Sequence, residues 1–421
     1  MCLSSLHVKL AHLLAAMTCA WCWHQVNQLL EPVRKHFQHD KEAKRILELI
    51  TGWMQEPKAN CSSELRRLVA PCAMRGTPTA VVFAPLASAR PTLGAALDTL
   101  RCLQASPSGH AKVLWLRDWS AFSYSCLCGG KTRDDDLKAI AAANSLFVAA
   151  LRAIAPTVMK DVQVVVQSEA ILQDSSNYWI SVINAGRAFA LSQVQAVDEA
   201  CAEAGQVISS LMHVADVLAT SVSDSAAKST PATSICTPPS QVALHQLACT
   251  YLQREEVAKA GLVPPSLVQV PTVSLRLKAE TAAATTTDAD VDAELLLFDG
   301  QPEVQRKMKK AFCEPRNVQC CPPLAIVAEA ILPYGTNGGT FVVPRKSENG
   351  GDLVATDAST LATAFSAGDL HPGDLKPAAR DAVDSLLQRV RSSVQGDPEL
   401  SKADKEVQKV IKRMTSKGGK K

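Results

Sequence analysis

The chain has 421 residues, 47% of them hydrophobic, and a formal net charge of +3. That length accommodates two or three domains with their own cores, and the apolar share excludes a disordered chain. The near-neutral charge gives no whole-chain argument for binding nucleic acid. The 14 cysteines are scattered: C-x-x-C at 19–22, C-x-C at 126–128 and the neighbours Cys320 and Cys321 do not build paired zinc knuckles. No metal site is expected, and free thiols in a reducing cytosol are.

Residues 10–22 are apolar but too short to span a membrane, and no later stretch reads as a span. A signal-peptide reading of this start stays open, although its basic groups are only Lys9 and His7 and no small-x-small cleavage site follows. Residues 29–40 (LLEPVRKHFQHD) match residues 386–397 (LLQRVRSSVQGD) at both leucines and at the Val, Arg, Gln and Asp positions. Either an ending is repeated, or two amphipathic helices look alike by chance.

Residues 79–84 and 112–119 are β-rich, 138–155 have helical apolar spacing, and 162–167 read as another buried strand. This alternation predicts a parallel, Rossmann-like sheet, whose ligands bind at the carboxyl ends of the strands. GGKT at 129–132 is not a phosphate loop, because Ser125 stands where the first glycine belongs. RPTLGA at 90–95 and QVISSLMHVAD at 206–216 are the next distinctive stretches. His213 in the latter is a lone histidine on an apolar helix, more often structural than catalytic. Residues 221–239 are rich in Ser, Thr, Ala and Pro and read as a flexible insert ahead of SQVA at 240–243. Lys278-Ala-Glu280-Thr precedes an Ala/Thr-rich slack loop at 282–287.

Residues 295–310 run apolar, then basic. Arg306, Lys307, Lys309 and Lys310 form either a face that meets phosphates or an ordinary solvated one. MKKAFCEPRNV follows at 308–318, NGG at 349–351 and HPGDLKP at 371–377. Pro372 fixes the turn, and Asp374 sits near the start of a helix over 375–391, where it can act as the N-cap. Residues 402–421 carry eight Lys/Arg against two acids and read as a basic tail.

KKAFCEP and HPGDLK, in that order, resemble the anticodon-binding domain of archaeal and eukaryotic tyrosyl-tRNA synthetases, a class I family. The resemblance implies an α/β fold: a Rossmann-like class I synthetase domain, degenerate here, followed by a mainly α-helical anticodon-binding domain. The implied organisation is an unmatched segment at 1–26, the tail of a preceding copy at 27–68 and the degenerate domain at 69–275. A loop at 276–294 stands for the family's K-M-S-K-S region, before the anticodon-binding domain at 295–400 and the tail at 401–421. A second, degenerate copy of this kind resembles the C-terminal half of the double-length enzyme of some protists.

The family's site residues fall unevenly on this chain. In the H-I-G-H-like ATP turn Gly94 is kept, while Thr92 and Ala95 replace the histidines. In the mobile loop Lys278 is kept, but Glu280 sets a negative charge where phosphates would lie. In the tyrosine pocket Asp216 matches and Ser209 and His213 replace a Tyr and a Gln; of D-Q-R-K only Gln241 matches. The resemblance therefore implies a non-catalytic half in the cytoplasm that does not bind ATP productively, pairs with a catalytic copy, fused or separate, and binds tRNA(Tyr). His371, Pro372 and Asp374 would read the anticodon, with Asp374 accepting hydrogen bonds from its first base, a guanine. Asn349 stands where the family has a stacking aromatic before Gly-Gly, so Phe341 or Arg345 would have to assist. A competent ligase with divergent motifs, and an interaction protein that kept the fold without tRNA, remain as alternatives.

Overall fold

A computed structural model describes residues 78–197, 202–220, 233–258, 262–278, 292–336 and 338–418. All lie in the compact unit Leu68–Lys421. The segments expected at 1–26 and 27–68, and residues 279–291 with Glu280, lie outside the described residues.

Five strands form one parallel sheet in the order β3-β2-β1-β4-β5. The chain runs β1 (Thr79–Phe83), α1 (Leu93–Gln104), β2 (Ala111–Leu116), α2 (Asp118–Ser123), α3 (Arg133–Ile154), β3 (Val162–Val166), α4 (Gln167–Gln173), α5 (Ser175–Ala188), α6 (Ala204–Thr220), β4 (Thr233–Thr237), α7 (Val242–Leu252) and β5 (Ser266–Gln269). All five residues of β1 are buried, the mark of a central strand covered on both faces. Alternate side chains serve opposite cores: Ala80 and Val82 pack with Leu97, Leu114 and Leu151, whereas Val81 and Phe83 pack with Met212, Val214 and Leu252. The expected α/β class is what the sheet has.

Two strands differ from expectation. β3 is a half-buried edge strand, not a buried one, because only β2 pairs with it. β4 lies inside the stretch read as a flexible insert, and its five residues, TSICT, are all buried. Its Thr and Ser look like loop residues by composition, but β-branched Thr suits a pleated strand. Here the hydroxyls are bonded: Thr233 to the Thr220 carbonyl, Ser234 to Ser266.

α3 is long and apolar enough to cross a membrane by composition alone, but two thirds of its apolar window is buried within the protein. Thr132 caps it in a reciprocal box with Asp135, and Pro156 stops it.

The remainder is mostly helical: α8 (Gln301–Lys310), α9 (Pro322–Tyr334), a hairpin of β6 (Phe341–Val343) and β7 (Leu353–Ala355), α10 (Ala358–Ala367), α11 (Pro372–Gln395) and α12 (Pro398–Gly418). α9 widens to a π turn over Val327–Ile331 just before Pro333. A proline lacks the N–H for the regular ladder and clashes with the carbonyl four residues back, and the wider turn relieves both. One apolar core runs from Leu97 and Leu151 beneath the sheet to Val304, Ile326, Phe365 and Leu387. The run read as a basic tail from 401 belongs, as far as Gly418, to α12, which docks Val407 and Val410 against Ala139, Ile140 and Leu146 of α3.

Candidate functional site

The strand order reverses direction at β1, between β2 and β4, so the carboxyl ends of these strands flank the crevice where such sheets take ligands. Here that crevice is lined by groups that bond one another. Arg117, just after β2 and 7% exposed, donates from Nε and Nη2 to the Ala84 carbonyl just past β1, at 3.1 and 3.0 Å. Burial lowers its pKa to about 10. The Phe83 ring meets the His213 imidazole edge-on, 4.6 Å between centroids. His213 Nε2 and His245 Nδ1 are 2.8 Å apart, so one proton lies between them. Burial holds His213 well below the usual imidazole range and His245 at about 3, with each also disfavoured as a cation by the nearby Arg117 charge. Their outer nitrogens, His213 Nδ1 and His245 Nε2, have no hydrogen-bond partner among the described residues.

Asp216, fully buried on α6, spends both carboxylate oxygens inside the chain. Oδ1 accepts from the Tyr178 hydroxyl at 2.9 Å and Oδ2 from Gln167 Nε2 at 2.7 Å. Gln167 is itself fixed, because its Oε1 accepts from the Ser120 amide and its Nε2 also reaches Ser120 Oγ. Burial raises Asp216 to about 7, against the lowering pull of the Gln167 and Tyr178 hydrogen bonds. Ser209 is buried on the same helix. Gln241 ends a short 3-10 turn before α7, and its Oε1 is buried without a partner among the described residues. The structure thus brings His213 and Asp216 to one crevice and adds Arg117, Gln167, Tyr178 and His245, which the sequence reading missed. Gln167 carried one usable signal: it directly follows a strand of a parallel sheet.

The ATP turn is built as a helix start. Thr92 Oγ1 caps α1 by accepting from the Ala95 amide at 3.1 Å. The Leu93 amide donates to the Leu295 carbonyl and the Leu297 amide to the Pro91 carbonyl, which stitches the turn to residues 295–297. A side chain at Gly94 would meet only Thr92 Oγ1 at 3.8 Å, so the fold itself does not demand glycine there. Lys278 is exposed at the edge of the described residues. A triphosphate needs cations or free amides. Thr92 Oγ1 and the Leu93 and Ala95 amides are engaged, no imidazole stands on the turn, and its one cation is the exposed Arg90. The amides of Gly130, Lys131 and Thr132 are likewise filled, by the Asp136 and Asp135 carboxylates. Among the described residues, no group of three or more His, Cys, Asp or Glu is placed to hold a metal ion.

The second locus joins the two C-terminal motifs. His371, not Asp374, is the N-cap of α11, its Nδ1 accepting from the Gly373 amide at 3.0 Å. An imidazole acceptor replaces the expected carboxylate because Pro372 opens the helix, leaving Asp374 at its third position. The Asp374 carboxylate is half-buried, and among the described residues nothing hydrogen-bonds to it. Lys376 Nζ donates to the Lys309 and Ala311 carbonyls at 2.7 and 2.9 Å, tying α11 to the end of α8. Between them lies a hollow of about 360 Å³ lined by Lys309, Cys313, Pro372, Gly373, Lys376 and Arg380.

Three expectations for this region change. Lys307 is not on a phosphate-facing surface: it is fully buried, bonded to Asp299 at 2.7 Å and to the Glu294 carbonyl. Arg306 and Lys310 pair with Asp292, so Lys309 is the exposed cation of the run that keeps its charge toward the hollow. Phe341 is 3% exposed in the core and cannot stack on a base. Arg345 donates to the Gly351 and Asp369 carbonyls, which joins the Gly350-Gly351 turn after Asn349 to the approach to His371. Both glycines have positive φ, 89° and 74°, as that turn requires.

No family model matches the chain. It is 35% identical over 116 residues to the cytoplasmic tyrosine–tRNA ligase of Danio rerio, a match spanning 28% of this chain and 21% of that relative. It is 26% identical over 258 residues to the tyrosine–tRNA ligase of Aeropyrum pernix, covering 56% of this chain and 66% of the relative. The chain therefore spans about a fifth of the length of the vertebrate relatives it matches. Among solved structures it resembles the tyrosyl-tRNA synthetase of Aeropyrum pernix (TM-score 0.60, 19% identity, 82% of this chain and 98% of that one). It also resembles the tyrosyl-tRNA synthetase of Leishmania major in complex with tyrosinol (TM-score 0.61, 26% identity, 93% of this chain and 51% of that one).

Proposed function

We propose, given that the chain belongs to the tyrosyl-tRNA synthetase family of the archaeal and eukaryotic type, that it is a non-catalytic half which binds tRNA(Tyr) by its anticodon and pairs with a catalytic copy in the cytoplasm. The observation that carries this reading is the crevice filled from within. Each Asp216 oxygen already accepts a hydrogen bond from within the chain, and Arg117, Phe83, His213 and His245 pack against one another in the same crevice. The turn at 90–95 carries Thr92 and Ala95 in place of the family's two histidines, which supports the reading that ATP is not bound productively. Purified chain given tyrosine and labelled pyrophosphate should form no labelled ATP above a heat-killed control; tyrosine-dependent exchange would sink the reading.

Pairing is supported by an apolar surface on the synthetase-type fold. Ile180 and Ile183 on α5 are 53% and 60% exposed, with Trp179 beside them and Leu172 on α4. Exposed side chains of this size at helical spacing suit a partner, and a catalytic copy is the partner the family resemblance implies. The solved Leishmania chain is about twice the length this chain covers, as a fused arrangement would be. Sedimentation of the chain alone and mixed with a catalytic copy tests this; a monomer that takes up no copy counts against it. Anticodon reading is supported by the meeting of the two C-terminal motifs around one basic hollow, and by an Asp374 carboxylate left unengaged in the first turn of the helix that walls it. An unpaired loop exposes guanine's donor edge to such an acceptor.

A further inference from the structure

Two thiols sit where that hollow meets the core. Cys313 is half-buried and lines the hollow beside Lys309 and Lys376. Cys321 is 5% exposed, packed in the main apolar core at the start of α9, and held by the two prolines that follow it. Both are free, and their Sγ atoms are 3.4 Å apart. We propose that Cys313 and Cys321 form a reversible dithiol–disulfide pair whose closure reshapes the hollow between α8 and α11; its effect on RNA rests on the anticodon reading above.

A disulfide bond is roughly 2.0 Å long, so closure draws the sulfurs together by about 1.4 Å. Cys321 is anchored in the core, so Cys313 moves and takes the wall of the hollow with it. Cys313 is also the better nucleophile. The hydrogen bond from the Cys321 thiol and the Lys376 charge hold its thiol below the usual range despite burial, while Cys321 is pushed far above it. The oxidant is a small-molecule disulfide such as oxidised glutathione. The Cys313 thiolate attacks one of its sulfurs, a mixed disulfide forms and one glutathione thiolate leaves. Cys321 gives up its proton, attacks Cys313 Sγ and expels the second glutathione. The protein loses two electrons and two protons, and the oxidant gains them as two thiols. Cys320, half-buried next in sequence, is the competing partner.

The full chain is equilibrated in glutathione buffers of graded ratio, alkylated and mapped by fragmentation mass spectrometry. A Cys313–Cys321 link that disappears on reduction and in Cys321→Ala is expected; no link, or a Cys313–Cys320 link, overturns the pair. Hydrogen exchange in residues 305–313 and 371–380 should change on closure in the wild type and not in Cys321→Ala; no change overturns the reshaping. For an anticodon stem-loop RNA, oxidation should weaken binding about tenfold, a loss of roughly 1.4 kcal/mol. Cys321→Ala should bind as the reduced protein does in either buffer. Unchanged affinity on oxidation overturns the effect on RNA. Binding in neither state sinks the anticodon reading, while the link and the exchange still decide the pair.

Discussion

The Tyr178 hydroxyl donates to Asp216 Oδ1 at 2.9 Å in a crevice where the carboxylate has no exposure to water. Together with Gln167, it holds the Asp216 carboxylate by donors from within the chain. Tyr178→Phe removes one of the two donors and strands a buried acceptor, which should cost about 1–3 kcal/mol in urea unfolding. Loss of less than a few tenths would show that Asp216 has another partner.

Asp216 also sets a pH dependence. Its folded value of about 7 lies above its ordinary 3.8, so the fold prefers the protonated acid. That contribution is complete below about pH 3.8 and is lost as pH rises through about 7. Asp216→Asn, which is neutral throughout, should flatten the stability profile between pH 4 and 7. An unchanged profile would place the carboxyl's titration elsewhere.

The His213–His245 pair acts in the opposite sense. Unfolded, each takes up a proton below about 6.5; folded, His245 resists to about 3 and His213 stays neutral as well. Stability is therefore present above pH 6.5 and lost as pH falls toward 3. Replacing both by leucine, in the Asp216→Asn background so that the two windows do not overlap, should make the acid limb shallower. Urea midpoints across the range check it.

Lys307 and Asp299 are buried partners. Lys307→Met leaves a buried carboxylate without its cation and should cost about 3–5 kcal/mol, whereas Lys307→Met with Asp299→Leu should cost much less. Equal losses would mean that the pair is not coupled.

Asp374→Ala should relax the preference for guanine at the first anticodon position more than it weakens total binding, read by competition between stem-loops. Asn349→Trp should tighten binding to the cognate loop by about 1–3 kcal/mol if a stacking ring is what that position lacks. Guanine preference untouched by Asp374→Ala would reduce the domain to a structural remnant. Lys402, Lys405 and Lys409 are exposed on α12, and changing all three to Glu should weaken every RNA alike and flatten the salt dependence. Deleting the segment is the wrong test, because Val407 and Val410 cover α3.

By itself the sequence determined the strand–helix alternation, the buried β1, and the two C-terminal motifs with their order. These are local signals: periodicities of two and of about 3.6 and a helix-opening proline, each written within ten or so residues. It also contained the apolar spacing of Leu400, Ala403, Val407 and Val410, which the surrounding lysines masked. Tertiary structure decided what those residues do. Gln167 and Asp216 are 49 positions apart, His213 and His245 are 32, and Arg117 and Ala84 are 33. No local pattern couples such positions; the parallel crossovers bring them to one end of the sheet. Lys307 shows the same division. Its charge reads as surface from sequence, and only the fold that removes it from water and supplies Asp299 makes it a buried ion pair, since a charge leaves water only where a partner is already in place.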